Sequence, residues 1–398
     1  MLWCVCLFNY ADRQAINSVF KPLAAEFKLS KVELSFIGSA FMYVYAVMLP
    51  FAGLVGDRFN RKTLILGGLG FWSVVTLLTG FAESYWQLIV CRALEGLGEA
   101  FYFPASMSLI CDYHGKATRS RAMALHQSSV YFGTILGGTF AGFCAEEYGW
   151  RSGFYIFGGL GVALAFLLAF FLKEPVRGAC DDDPEATTAT PRDLIRGVPL
   201  LMQNKSLLII LAVFIGTVFV GSIFLTWMPT YLGENFNMSL TMAGLTATIW
   251  MQLASVLGTL TGGWLADRWV KTDVTGRVKV QALGLVLGAP LVFAAGWTLD
   301  INVLIVMLVG FGFCKGMYDS NTWAVLYDVV PKERRSTALG LVNGLGWLIG
   351  GAPAPTVIAL MAGVIGFGAS LSMTSGVYLT CGLMMIWLAM RLRQASTR

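Results

Sequence analysis

Charge is what this sequence has least of. Asp, Glu, Lys and Arg make up 13% of its 398 residues, against about 25% in soluble chains. So sparse a charged surface excludes an ordinary water-soluble domain. The two histidines are too few to build a metal site unaided. The eight cysteines show no paired spacing and no zinc pattern, which argues against a disulfide framework or a zinc module. Most fall inside apolar runs, where cysteine packs as a small hydrophobe. No nucleophile–base pair, metal cluster or phosphate loop is present, so the sequence reads as no enzyme and calls for no cofactor. Gly96-Leu97-Gly98 lacks the strand-then-helix setting of a nucleotide fingerprint. The net charge of +5 gives no ground for a nucleic-acid partner and is informative only through its placement in loops. A cleavable signal is missing too: the first apolar segment carries Asp12-Arg13 and has no small-residue cleavage site. Only eleven residues precede Asp12, so a first helix would begin inside the inner leaflet and the start reads as truncated or misassigned by about a turn or more.

What is abundant is hydrophobic: 56% of residues, with 45 glycines and a mean hydropathy of +0.68. Glycine at this level suits close helix packing in lipid. Apolar runs of spanning length recur. They predict helices at 1–26, 33–56, 63–82, 86–111, 120–144, 152–172, 206–232, 239–266, 280–298, 302–329, 336–362 and 368–391. The expected fold is all-α: a polytopic membrane protein of 12 transmembrane helices in two pseudo-symmetric six-helix bundles, 1–172 and 206–398, joined by a linker at 173–205. The linker contains the solvated run Asp181-Asp182-Asp183-Pro184-Glu185 and then a short surface helix expected at 191–196. Basic residues crowd one set of loops, among them Arg58, Arg61, Lys62, Lys116, Arg119, Lys271, Arg277 and Lys332; the opposite set has Lys21, Lys28, Lys31 and Arg151. That asymmetry places both termini and the linker in the cytoplasm. Asn237-Met238-Ser239 matches a glycosylation sequon, but the compact loops point to a bacterial inner membrane. The partners expected are the lipid bilayer, a small-molecule substrate and protons, with the chain acting as a monomer.

Seven charges interrupt the apolar runs: Asp12, Arg13, Arg92, Glu95, Glu99, Lys315 and Asp319. Each costs ~2.5–3.5 kcal/mol at a helix centre, so these groups must pair, face a cavity or work. Arg92, Glu95 and Glu99 share one helix face, and Lys315 and Asp319 can pair as i, i+4 neighbours. Asp12 and Arg13 point about 100° apart and cannot share a face. The halves also repeat. Gly53-Leu54-Val55-Gly56-Asp57-Arg58 is echoed by Gly263-Trp264-Leu265-Ala266-Asp267-Arg268. Without a gap, 109–127 lies over 325–343, putting Asp112 on Asp328 and Gln127 on Asn343; extended backwards, the register sets Glu99 opposite Lys315. If a two-fold axis along the membrane normal relates the halves, an acid and a base approach one cavity.

The doubled Gly-x-x-x-Asp-Arg loop in a 6+6 chain resembles the major facilitator superfamily. Finer motifs resemble its anion:cation symporter family: Asn9-Tyr10-Ala11-Asp12-Arg13, then Tyr45, then Arg92 with Glu99-Ala100 and Phe103-Pro104, and Trp227-Met228-Pro229-Thr230-Tyr231-Leu232. Gly96-Leu97-Gly98-Glu99-Ala100 is also similar to the Spinster-type transporters. Two departures from the symporter pattern are apolar Val47-Met48-Leu49 and His126-Gln127-Ser128-Ser129.

The resemblance implies a secondary active transporter, a proton-coupled symporter of a small organic anion such as a sugar acid, working by alternating access. Arg13 offers a donor fork suited to a carboxylate, and Tyr45, Gln127, Lys315 and Asn343 complete the expected substrate set. Asp12 and Glu99 are the expected proton carriers, with Arg92 fixing the charge of Glu99. Burial and a nearby arginine pull a carboxyl's proton affinity in opposite directions, which lets such a group load and unload as a cavity opens. Asp57, Arg58, Arg61, Asp267 and Arg268 are the expected cytoplasmic gate. Two alternatives stay open: a Spinster-like exporter of a lysolipid or other amphiphile, and a membrane sensor that binds without moving its ligand.

Overall fold

A bilayer offers the backbone no hydrogen-bond partner, so a spanning segment must satisfy its own amides. Every regular element among the described residues is accordingly helical. The computed structural model describes residues 1–114, 116–175, 199, 201–331 and 334–396, without the side chains at 53, 54, 56–58, 116, 117, 119, 120, 336, 395 and 396. Most of the linker, and with it the surface helix expected at 191–196, lies outside the described residues. Contacts divide the chain into two units, Met1–Thr190 with Asn237–Leu245, and Pro191–Phe236 with Thr246–Arg398.

The first unit holds α1 (Leu2–Ser18), α2 (Phe20–Phe27), α3 (Lys31–Arg58), α4 (Arg61–Thr79), α5 (Tyr85–Ala100), α6 (Tyr102–Tyr113), α7 (Lys116–Glu147) and α8 (Trp150–Phe171). Two helices expected to be continuous are each broken once, at Val19 and at Phe101. The cause is proline. Pro22 and Pro104 have no N–H to give the carbonyls four residues back, those of Ser18 and Ala100, and their rings crowd those oxygens. Side-chain caps fix where the other helices start. Ser30 and Glu33 form a capping box on α3, Asn60 caps α4 and Ser84 caps α5. Glu174 adds to the α4 cap from far along the chain, accepting from the N–H groups of Arg61 at 2.9 Å and Lys62 at 2.6 Å.

The second unit holds α9 (Lys205–Asn235), α10 (Leu240–Val270, whose first turns cluster with the first unit), α11 (Gly276–Trp297), α12 (Ile301–Asp319), α13 (Thr322–Val329), α14 (Arg335–Leu345), a π-helical stretch at Gly346–Gly351, α15 (Ala354–Ile365) and α16 (Phe367–Ser396). Asn204 and Asp300 cap α9 and α12. Before α11, Asp273 accepts from the Thr275 N–H at 2.9 Å and from Lys279 at 2.5 Å. The Lys279 ammonium, with the Thr275 donors, holds its carboxyl well below the usual carboxylate range.

The internal repeat has a physical counterpart inside each unit. Arg61 at the start of α4 pairs with Asp112 near the end of α6, and Arg277 at the start of α11 pairs with Asp328 near the end of α13 at 2.9 Å. The register that lays Asp112 on Asp328 also lays Arg61 on Arg277.

Nine helices among the described residues are long and apolar enough to cross a membrane. The stretches of unit 1 outside that set are α1 with α2, α5 with α6, and α7. Their sequences carry Asp12 and Arg13, then Arg92, Glu95 and Glu99, then His126 and Gln127.

Candidate functional site

The charged residues of α1 and α5 meet in unit 1. Glycines allow the approach. A Cβ built on Gly96 of α5 would lie 2.5 Å from the Phe41 carbonyl oxygen of α3, and one on Gly137 of α7 would collide with the Ala11 backbone of α1. With no side chain at either point, α3 lies close against α5 and α1 close against α7.

The centre of the cluster is an ion pair across 86 positions of sequence: Arg13 Nε donates to Glu99 Oε2 at 2.5 Å. Glu99 is fully buried, whereas the Arg13 side chain keeps 15% exposure. Three rings surround the guanidinium carbon, Tyr45 at 4.4 Å, Tyr10 at 4.8 Å and Phe41 at 4.9 Å. Aromatic faces stabilise a cation while leaving its donors available. Tyr45 stacks on Phe41 with centroids 5.6 Å apart, which sets the angle of this cage.

A second pair lies one turn away on α5. Arg92 binds Glu95, both sealed from solvent, and Arg92 also sits 5.0 Å from the Phe41 ring. Thr79 of α4 donates to Glu95 at 3.3 Å. The sequence reading had Arg92 holding the charge of Glu99. In the structure Arg13 makes the direct bond to Glu99, and Arg92 bonds to its i+3 neighbour Glu95. Asp12 is 2% exposed and receives only a long bond from the Thr76 hydroxyl, 3.4 Å. Asp12 Oδ1 and Glu99 Oε1 are both buried with no hydrogen-bond partner. Three carboxyls thus face two arginines, and Asp12 is the one that no cation among the described residues bridges.

The other sequence candidates fall elsewhere. Gln127 is exposed on α7, beside buried His126. Lys315 pairs with Asp319 on α12, as their spacing allowed, and its Cε would lie 3.9 Å from a Cβ on Gly221 of α9. Asn343 is half-buried on α14. These belong to unit 2, apart from Gln127 in unit 1. Of the expected gate, the side chains of Asp57 and Arg58 lie outside the described residues. Arg61 is committed to Asp112 within its own unit, Asp267 is exposed, and Arg268 lies over the Trp264 ring at 5.7 Å. Trp227 and Tyr231 are packing residues, their polar atoms donating to the carbonyls of Pro355 and Gly296. Thr76 and Thr79, which the sequence reading missed, contact the cluster's carboxyls. Their i, i+3 spacing in a mostly apolar helix was the available signal.

The family model described as Major Facilitator Superfamily matches residues 2–272 and, in a second placement, 228–398. The chain is 30% identical over 393 residues to protein spinster homolog 1 of Xenopus tropicalis, covering 91% of this chain and 72% of that protein. It is 28% identical over 393 residues to the "Probable galactarate/D-glucarate transporter GudP" of Escherichia coli (strain K12), covering 92% of this chain and 86% of that one. A crystal structure of a bacterial homolog to the human lysosomal transporter Spinster, inward-facing and unoccupied, shares the fold with a TM-score of 0.78 at 20% identity, over 98% of this chain and 94% of that one.

Proposed function

This chain belongs to the Major Facilitator Superfamily, whose members are transporters and not enzymes, and from that premise we propose that it is a proton-coupled symporter of a small organic anion. The substrate class is a sugar acid or a similar carboxylate, in keeping with the galactarate/D-glucarate transporter among its relatives. The proposed cycle is alternating access by two six-helix bundles, 1–172 and 206–398, in a bacterial inner membrane with both termini in the cytoplasm. Substrate contacts are assigned to Arg13, Tyr45, Gln127, Lys315 and Asn343.

One observation supports the coupling most directly: Arg13 is partly open while its partner Glu99 is sealed. An arriving carboxylate can reach the guanidinium, and its planar donor fork matches one carboxylate at a time. When the substrate takes Arg13, Glu99 loses its counter-charge inside a dry cluster. A buried unpaired carboxylate is costly enough that neutralising it is the cheaper course, so anion binding and proton uptake become one event. The excess of acids over arginines works the same way, because one proton, on Asp12 or shared with Glu99, balances the cluster. Arg92, bound to Glu95, holds the background charge constant.

The test is uptake in proteoliposomes with D-glucarate as probe. Glu99→Gln mimics the protonated state, so proton-driven accumulation is lost while counterflow exchange persists. Accumulation driven normally by a pH gradient in that variant would overturn the assignment. The spinster relatives carry the second reading, export of a lysolipid or other amphiphile. Substrate-dependent proton flux with aldonates set against lysolipids separates the two.

A further inference from the structure

One ring touches both ion pairs of unit 1. The Phe41 centroid lies 4.9 Å from the Arg13 guanidinium carbon and 5.0 Å from that of Arg92. Arg13 is the cation left partly open, and Arg92 the one that is sealed. Phe41 is itself only 4% exposed, so it forms a wall that the two pairs share and offers no surface to an arriving substrate. Its place is fixed from two sides. Its ring stacks on Tyr45, the i+4 neighbour on α3, with the planes 15° apart. Its backbone abuts Gly96, which stands between Glu95 and Glu99 on α5: a Cβ there would lie 3.2 Å from the Phe41 carbonyl carbon.

The groups beside this wall are not all satisfied. Arg92 Nε is a buried donor without a partner, and Glu99 Oε1 is a buried acceptor without one. A space opened next to a donor and an acceptor admits water, whereas an apolar space of the same size stays dry. That difference decides the coupled step. Glu99 needs a proton on losing Arg13 because its surroundings exclude water; a water molecule donating to Oε1 would solvate the carboxylate and remove the need. The charges in contact here are Asp12 and Arg13 of α1 and Arg92, Glu95 and Glu99 of α5, while α3 and α4 bring rings and hydroxyls. Among the described rings, only Phe41 lies over both arginines.

We propose that Phe41 is a positioning residue for coupling, acting through Glu99: its ring fills the space beside the two pairs and keeps water from the Glu99 carboxylate during turnover. This role rests on the proton-coupled symport proposed above, and it adds the uncharged group that enforces the coupling. With the ring in place, a substrate that takes Arg13 leaves Glu99 no partner but a proton from the medium. With the ring cut back, water hydrates Glu99 in its charged form, and the anion crosses without its proton.

The test is D-glucarate transport in proteoliposomes with the membrane potential clamped at zero. A gradient of one pH unit drives accumulation up to about tenfold for one proton. Phe41→Ala is expected to retain counterflow exchange at a reduced rate, while its accumulation drops several-fold, close to equal concentrations on both sides. Phe41→Met refills the space with a flexible apolar side chain and keeps accumulation near that of the unaltered protein. Where Phe41→Ala loses counterflow as well, Phe41→Leu, a smaller cut, serves for the same comparison. Absence of pH-driven accumulation in the unaltered protein would count against the symport reading itself. Given coupling there, two results overturn the role of Phe41: full accumulation in Phe41→Ala with only its unfolding temperature lowered, or uncoupling in Phe41→Met to the same degree as in Phe41→Ala.

Discussion

Arg13 and Arg92 look alike in the sequence, each an arginine in a greasy helix with acids nearby, yet their surroundings give them different work. Arg92 and Glu95 are both sealed, and breaking such a pair costs about 3–5 kcal/mol because one charge is left uncompensated. Arg92→Leu is therefore expected to lower the unfolding temperature sharply in detergent, and Arg92→Leu/Glu95→Leu to recover most of the loss. If the double variant is as unstable as the single, the pair is not the reason Arg92 is kept. Local pairs were legible beforehand because helical geometry dictates them: Lys315 with Asp319, Arg92 with Glu95. The bond from Arg13 to Glu99 was not, since the two residues are distant in sequence and nothing local sets the rotation of α1 against α5. The tyrosine cage was half visible. Tyr45 was expected to orient substrate; in the structure its ring lies against the Arg13 guanidinium.

At the scale of elements, apolar runs located the spanning segments to within a few residues, because burying backbone in lipid leaves little choice of structure. They did not locate the breaks at Val19 and Phe101, since hydrophobic residues continue through both. The prolines that cause them were present in the sequence, but a proline inside a spanning helix can bend it without interrupting it. Glycine is similarly ambiguous until neighbours are known. Gly137 abuts the Ala11 backbone, whereas Gly67 on α4 has nothing within 4 Å of an added Cβ. Gly137→Ala should destabilise unit 1 by about 1–3 kcal/mol through overpacking. Gly67→Ala should be neutral or mildly stabilising, by up to ~1 kcal/mol, from helix propensity. Thermal unfolding of the two variants side by side checks this, and equal effects would show that α1 and α7 are not held at contact distance by Gly137.

For the whole molecule, the repeat was the deepest information in the sequence, since through Asp112 and Asp328 it marked one end of an ion pair made inside each unit. The placement of basic loops adds a topology that labelling can check. A cysteine introduced at Lys271 should react with a membrane-impermeant maleimide only when the cytoplasmic face is open, and one at Lys28 should react from outside; the reverse pattern would invert the orientation. The contrast between the nine strongly apolar helices and the three polar stretches of unit 1 reaches back to biogenesis. A segment carrying Asp12 and Arg13, or Arg92, Glu95 and Glu99, gains little from entering lipid alone, whereas a neighbour of opposite charge lowers that barrier. These helices are thus expected to leave the translocon late and together, retained until Arg13 can reach Glu99. The charged cluster would then act as an assembly checkpoint, and damage to it would register first as protein missing from the membrane, before any cargo failed to cross.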